Sequence, residues 1–257
     1  MLPRLTTCVF AFAAAMFSAW AAAFAVFPFQ SGNETLYLKW GDNHGGTSGG
    51  VVAWSLVPAG TQGSAFCGNA CPGASLATIP VENSPGGGFT PRTLAELRPR
   101  IVAVLARWSA ATDIRFVEVA DSGLPINDAS AVPPATGHIR IAIFDFASGG
   151  GAVGYAAPPN GGTGAGDVIL DSGSFYQFAP GAEGDTYDTT FAPNDFDGLL
   201  LHELGHAMGF AHPPFDGSCP VMQVAAPCLG RINRELDADD LAGASFLYGP
   251  VFGDGFE

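Results

Sequence analysis

The sequence has few positive charges. Only 10 of its 257 residues are lysine or arginine, against 24 aspartate and glutamate residues, and Lys39 is the only lysine. The formal net charge of −14 argues against a surface that binds nucleic acid or anionic membranes, because both partners attract positive charge. The bias towards alanine, glycine and arginine is typical of a GC-rich bacterial genome, so we expect a bacterial source.

A long apolar run opens the chain. Residues 1–27 carry one early positive charge, Arg4, followed by alanine, phenylalanine and valine, and small residues lie near the end. This pattern predicts a signal peptide over residues 1–25, with an A-x-A cleavage site after Ala23 or Ala25. The alternative is an uncleaved membrane anchor, since the run is almost long enough to span a bilayer. Cleavage after residue 25 of 257 leaves 232 residues, 26–257, which suffice for one domain with a sizeable core.

Cysteine is also scarce. Cys8 lies inside the predicted signal peptide, which leaves Cys67, Cys71, Cys219 and Cys228 in the mature chain. An even number of cysteines in an exported protein is typical of disulfide bonds. Four cysteines allow three connectivities, and we expect the two local pairs, Cys67 with Cys71 and Cys219 with Cys228.

Three of the five histidines fall in one motif, HELGHAMGFAH over residues 202–212. Residues four apart lie on one face of a helix, so His202 and His206 can bind one zinc ion, with His212 as the third ligand. A fourth position is left for water, whose pKa zinc lowers towards about 7, and Glu203 can take its proton. The alternative is a buried helix with incidental histidines, which the full spacing makes improbable.

The position of His212 requires a turn in the chain. It lies six residues beyond His206 and cannot stay on the same helical face. Gly209 has no Cβ and can adopt a positive φ, so we expect the helix to end after Met208 and the chain to return His212 to the metal.

The long zinc motif resembles that of the metzincin metalloproteases, which is followed by a methionine turn. Met222, ten residues past His212 in the sequence CPVMQ, matches that turn, and the resemblance implies a hydrophobic floor beneath the zinc ligands. Residues 236–249 resemble the last helix of the matrixins, the branch related to the matrix metalloproteinases. There an aspartate supports the methionine turn, so Asp239 and Asp240 are candidates, although two acids also favour the positive end of a helix dipole.

Hydrophobic periodicity outlines the first half of the domain. Residues 35–38 and 51–57 predict strands. Residues 58–90 are rich in glycine, proline, serine and asparagine, and they predict a long loop or insertion that either packs on the surface or covers the cleft as a flap.

A helix and two strands are predicted next. An apolar stripe from Leu97 to Trp108 predicts an amphipathic helix, with a capping box of Thr93 and Glu96, or a start marked by Pro99. Residues 114–119 and 139–144 alternate like half-buried strands. The order resembles the matrixin N-terminal subdomain and implies an α+β, zincin-like catalytic domain: a twisted mixed β-sheet with an active-site helix, a backing helix and a C-terminal helix.

Residues 153–159 resemble the matrixin edge strand, along which a substrate backbone lies by strand addition. Gly154, Tyr155 and Ala156 are therefore candidate substrate-binding residues. The alternative is an ordinary edge strand closed by prolines. The resemblance also implies that the loop closed by Cys219 and Cys228 forms a wall of the primed-side specificity pocket.

The chain departs from the matrix metalloproteinases at the other metal sites. Tyr155 and Ile169 occupy positions that usually hold structural-zinc histidines, so we expect one zinc ion per chain. Asp171 stands at a calcium-ligand position, but Ser174 replaces its partner carboxylate, which makes calcium a weak expectation. Pro213 after the third histidine and Gln223 after Met222 are further departures.

These features together predict a secreted, monomeric zinc endopeptidase that acts on proteins or peptides in the periplasm or outside the cell. It would have no stable membrane association after signal cleavage. A catalytically weak zinc-bearing binding or adhesion module is the main alternative, and a membrane-held structural protein is another. No cysteine-switch propeptide is visible, and the tail over residues 250–257 is read as a frayed terminus or a sorting tag.

Overall fold

The computed structural model describes residues 24–250. The predicted signal peptide up to residue 23, and residues 251–257 of the tail, lie outside the described residues. The described chain is a mixed α/β domain with three α-helices: α1 (Leu94–Ala111), α2 (Phe196–Ala207) and α3 (Ala238–Tyr248). The strands are β1 (Ala25–Val26), β2 (Pro28–Ser31), β3 (Glu34–Tyr37), β4 (Val51–Leu56), β5 (Thr78–Glu82), β6 (Phe89–Thr93), β7 (Arg115–Glu118), β8 (Ile139–Phe144), β9 (Ala152–Gly154), β10 (Val168–Asp171), β11 (Tyr176–Gln177), β12 (Asn194–Asp195) and β13 (Phe210–Ala211).

A five-stranded mixed sheet carries the site, with strand order β7-β4-β8-β10-β9. The first four strands are parallel, and β9 pairs with β10 in the antiparallel direction at the edge. All six residues of β8 are buried, as a central parallel strand requires when both of its faces are covered. The predicted strands over 35–38, 51–57, 114–119 and 139–144 are confirmed within a residue or two, but the expectation that 139–144 is half-buried is wrong, because sheet neighbours and packed elements cover both of its faces.

Helix α1 is the backing helix, and its apolar stripe is buried. Leu97, Ile101 and Trp108 are at most 2% exposed. The capping box is confirmed, because Thr93 accepts the Glu96 N–H and the Glu96 side chain accepts the Thr93 N–H. The alternative start at Pro99 is wrong, since that proline lies inside the helix.

The loop predicted over residues 58–90 is wrong in its second half. Strands β5 and β6 pair there as an antiparallel hairpin, within a four-stranded sheet of order β12-β11-β5-β6. Pro80 lies opposite Pro91 in the pairing. Neither residue has an N–H, so the two occupy a pair that needs no hydrogen bond between the strands. Proline inside a short apolar run weakens a strand prediction, and this is why the hairpin was not expected.

Two local disulfides close the loops expected to hold them. Cys67 is bonded to Cys71, and Cys219 is bonded to Cys228. Between residues 24 and 250, the helices are all too short or too polar to cross a membrane.

Candidate active site

The active-site helix α2 is held at both ends by residues distant in sequence. At its start, Asp195 accepts the Gly198 N–H at 3.1 Å and forms a bidentate pair with Arg234 at 2.7 and 2.5 Å. At its end, Trp40 Nε1 donates to Ala207 O at 2.8 Å, and the Tyr248 hydroxyl donates to Met208 O at 2.7 Å. These donors satisfy carbonyls that a helix C-terminus leaves without intrahelical partners.

The three predicted histidine ligands converge. The Nε2 atom of His212 lies 3.1 Å from that of His202 and 2.9 Å from that of His206. Three nitrogens around one tetrahedral zinc ion at about 2.0 to 2.1 Å would lie about 3.3 Å apart, so the donor set fits that metal. Among the described residues, no second group of three histidine, cysteine or acidic side chains converges in this way.

The other ring nitrogens fix the orientation of the ligands. His202 Nδ1 lies 2.7 Å from Val221 O, and His206 Nδ1 lies 2.8 Å from Phe210 O. A carbonyl accepts from an N–H, which places the proton on Nδ1 and leaves Nε2 free to bind metal. Burial lowers the pKa of His202 and of His206 to about 4, and it also lowers the pKa of His212. The imidazoles are thus neutral at pH 7, as metal ligation requires.

The turn after the helix follows the expected geometry. Helix α2 ends at Ala207 with Met208 as its C-cap, and Gly209 has a φ of +97°. Strand β13 then leads directly to His212. This strand pairs with β1, with Ala25 opposite Ala211, so the first described residues of the chain support the segment before the third ligand.

Glu203 lies where the helix approaches the edge strand. Its Oε2 accepts the Gly154 N–H at 2.6 Å, and its side chain is buried. Burial raises the pKa of the Glu203 carboxyl, while His206 and the Gly154 N–H oppose that shift.

The methionine lies directly beneath the helix. A Cβ added at Gly205 would lie 2.2 Å from the Met222 sulfur, so a larger residue there would require the buried Met222 side chain to move. Gly205 was not among the predicted site residues. A glycine inside a helix costs about 1 kcal/mol relative to alanine, so its presence in the predicted helix indicates a close contact at that position. This was the signal in the sequence that could have identified Gly205.

Asp239 and Asp240 were the two candidates for supporting the methionine turn, and Asp240 accepts hydrogen bonds from its backbone. Its carboxylate accepts the N–H of Val221 at 2.9 Å and of Met222 at 3.4 Å. Both aspartates also lie in the first turn of α3, where Asp237 is the N-cap.

The family model described as Matrixin matches residues 90–249, which is more than half of the chain. This chain belongs to the matrixin family. A search of curated proteins found no match. The match covers α1, the mixed sheet from β7 onward, the three histidines, the methionine turn and α3, whereas Trp40 and β1, which support α2 and β13, lie outside it. Matrixins are zinc metalloendopeptidases, and the histidine triad is the zinc site that the family implies.

A cavity of about 510 Å³ opens beside His202 and Glu203 in this matrixin. We call it the cleft pocket. Its lining includes Leu199, Val221, Val224, Leu229, Cys228 and Arg231. Cys228 belongs to the disulfide that encloses the methionine turn, so this loop forms a wall of the pocket.

The edge strand differs in one respect from the expectation. Tyr155 N donates to Asp167 O and Tyr155 O accepts from Gly166, so both backbone groups of Tyr155 are used inside the domain. Substrate binding by Tyr155 stays a prediction, and these internal bonds of its backbone do not favour it. Residues alternate in direction along a strand, so the neighbouring Gly154 and Ala156 face the opposite way. Ala156 O nevertheless accepts the Gly166 N–H and the Asn160 amide.

The Tyr155 side chain packs against the first disulfide loop. Its hydroxyl donates to Cys67 O at 3.0 Å, and its ring lies 4.9 Å from that of Phe66. Cys67, Cys71 and Ile169 belong to the same small apolar cluster. The two positions that carry structural-zinc histidines in related enzymes are thus filled by packed apolar and aromatic groups.

At the position where a calcium ligand was expected, the Asp171 carboxylate accepts hydrogen bonds from other groups of the protein. Asp171 Oδ1 accepts the N–H groups of Phe146 and Gly173, at 3.1 and 2.9 Å, and Oδ2 accepts the Ser174 hydroxyl at 2.9 Å. Ser174 occupies the position of the second carboxylate expected for a calcium site, and its hydroxyl donates to Asp171 instead. Both carboxylate oxygens of Asp171 are thus used in hydrogen bonds within the protein.

Proposed function

We propose that this matrixin is a secreted zinc endopeptidase with Glu203 as its general base. One observation carries the proposal: a buried carboxylate lies beside the converged histidines, bonded to the edge strand and open to the cleft pocket. A binding module that had lost turnover would have no need of this carboxylate.

The histidine triad would hold the metal, and zinc bound there would supply Lewis-acid activation of water and of the scissile carbonyl. Glu203 takes the proton from the attacking water and returns it to the leaving amine. The Gly154 N–H holds the carboxylate beside the edge strand in the free enzyme. Asp240 and Gly205 hold Met222 beneath the ligands, so the imidazoles keep their orientation.

Substrate would lie along the outer side of β9, with one side chain in the cleft pocket. Gly154 is the edge residue that we assign to substrate binding, together with the N–H of Ala156. Backbone pairing at a sheet edge binds extended peptides with little regard to sequence, so the pocket supplies the selectivity.

Export is proposed because the sequence opens with a predicted signal peptide and because the domain contains two disulfides. Two disulfides are typical of oxidising compartments. The signal peptide lies mostly outside the described residues, but Ala25 and Val26 pair with β13. Cleavage after Ala23 would retain this pairing, whereas cleavage after Ala25 would remove part of it, so we propose Ala23. A monomer outside the cell or in the periplasm is the expected form.

The test is hydrolysis of a random peptide library by purified protein. Cleavage should be lost with a zinc chelator and recovered when zinc is added back. Tight peptide binding without turnover, in the zinc-loaded protein, would instead identify a binding module. Recovery from culture supernatant without detergent would separate a secreted enzyme from a membrane-held protein.

A further inference from the structure

Arginines in this acidic chain are almost all paired. Eight arginines lie within residues 24–250, and six of them have a carboxylate oxygen within 4.0 Å. The six are Arg92, Arg98, Arg100, Arg107, Arg140 and Arg234. In the described part of the chain, Arg115 and Arg231 have no such carboxylate, although the net charge is −14.

Arg231 is the one of these two that lines the cleft pocket. Its side chain is exposed, and its Nε donates to Pro227 O at 3.3 Å. The backbone of Arg231 forms an isolated bridge with Thr186, which fixes where the side chain leaves the main chain. The terminal guanidinium nitrogens therefore remain for a ligand. A guanidinium matches a carboxylate through two parallel hydrogen bonds.

The other charges of the pocket do not neutralise Arg231. Asp195 also lines the pocket, but both of its oxygens bind Arg234. Glu203 accepts the Gly154 N–H, and its side chain is buried, whereas Arg231 is exposed. The pocket thus combines apolar walls from Leu199, Val224 and Leu229 with one uncompensated cation.

We propose that Arg231 selects substrates with an acidic side chain on the C-terminal side of the scissile bond, a preference that presupposes the endopeptidase activity proposed above. The apolar walls contact the methylene groups of a glutamate, and the guanidinium binds its carboxylate. A lysine at the same position meets a like charge and is rejected.

The experiment compares peptides that differ only in the residue entering the pocket: glutamate, the isosteric glutamine, or lysine. With zinc-loaded full-length protein, kcat/KM should be about two- to fivefold higher for glutamate than for glutamine, the range expected for one exposed ion pair. The Arg231→Gln variant should bring this ratio to about one, and Arg231→Glu should favour lysine over glutamate. The ratio in the wild type should also shrink at high salt, because the Debye length falls from about 10 Å at 0.1 M to about 3 Å at 1 M.

Arg115→Gln is the matched control, since Arg115 is the other arginine without a described carboxylate partner and does not line the cleft pocket. It should keep the wild-type ratio. Equal kcat/KM for glutamate and glutamine in the wild type, or a ratio unchanged in Arg231→Gln, would overturn the role of Arg231 while leaving the peptidase intact. Failure to cleave any peptide with zinc bound would overturn both proposals.

Discussion

Asp240 accepts the Val221 N–H at 2.9 Å, and through this bond it supports a zinc ligand on another element. The carbonyl of the same Val221 lies 2.7 Å from His202 Nδ1. A carboxylate on α3 is thus linked to a histidine on α2 through one residue of the methionine turn. The direct partner of His202 is the Val221 carbonyl, and such direct partners typically contribute about 10- to 100-fold to metal affinity; Asp240 acts one step further back, by positioning Val221.

Asp240→Ala should therefore weaken zinc binding by up to about 10-fold, the low end of the range for a direct partner, and destabilise the fold by at least about 2 kcal/mol. The stability loss arises because the N–H groups of Val221, Met222 and Asp237 lose their acceptor. Competition with a chromophoric chelator measures the affinity. Asp239→Ala is the neighbouring control and should retain zinc more tightly than Asp240→Ala; the reverse order would contradict the assignment.

Glu203→Ala should lower peptide hydrolysis by about 10² to 10⁴ while one zinc ion stays bound. Glu203→Gln refines the test, because its amide oxygen can still accept the Gly154 N–H but cannot take a proton. Equal losses in the two variants would identify the base as the missing function. Activity within about twofold of wild type in either variant would rule out the mechanism.

Elemental analysis after dialysis against a weak chelator should find one zinc ion per chain. His212→Ala should lose it, since two imidazoles leave the site incomplete. His44→Ala is the control: this exposed histidine contacts Asp42, far from the triad in sequence, and the variant should keep the metal. Two zinc ions per chain would show that the positions of Tyr155 and Ile169 had been misassigned.

Replacing Cys67 and Cys71 together with alanine should reduce the free energy of unfolding by about 2 kcal/mol, the value expected from loop entropy for so short a loop. Tyr155→Phe should cost about 1 kcal/mol, because the hydroxyl bond to Cys67 O is lost. Both values come from urea unfolding of the zinc-loaded protein. KM should rise in the double variant, since Tyr155 directly follows Gly154; an unchanged KM would show that the disulfide loop does not position the edge strand.

Asp121 and Asp167 both interact with Arg140, and we expect the two carboxyls to make the free energy of unfolding depend on pH in opposite directions. Burial raises the pKa of Asp167 well above its ordinary value, and its Oδ2 is buried without a hydrogen-bond partner. The folded state then binds a proton more tightly than the unfolded state, so this stabilisation is present at low pH and lost as the pH rises. Asparagine does not titrate, so Asp167→Asn should not lose stability in this way. The free energy of unfolding of Asp167→Asn, relative to that of the wild type, should therefore increase from pH 5 to pH 8.

Asp121→Asn is the matched comparison. Burial would raise the pKa of Asp121, but the Arg140 guanidinium and donors from Gly123 and Ser55 outweigh it and lower that pKa. Its stabilisation is present above the unfolded pKa of about 3.9 and is lost as the pH falls through the lower folded value. Asp121→Asn should therefore destabilise the protein at pH 7. Parallel effects of the two substitutions would contradict the assigned shifts.

The sequence by itself determined the histidine triad, the position of Glu203 next to it, the glycine turn and the capping box of α1. Each depends on spacing within about ten residues, where helical geometry and backbone sterics leave few alternatives. The disulfide pairs were also local. The pairing of β5 with β6 is also local, but it could not be predicted, because the prolines in both strands are typical of loops.

Tertiary structure alone decided the relationships between distant residues. It placed the Asp240 carboxylate against the methionine turn, paired the backbone of Tyr155 with Asp167 and Gly166, and brought Phe66 and Cys67 against the Tyr155 side chain. It also placed Arg234 beside Asp195, and it left Arg231 without a carboxylate partner among residues 24–250. In each case the outcome depends on which side chains the packed elements bring within a few ångströms, and adjacent residues with the same chemistry carry no local signal that distinguishes them.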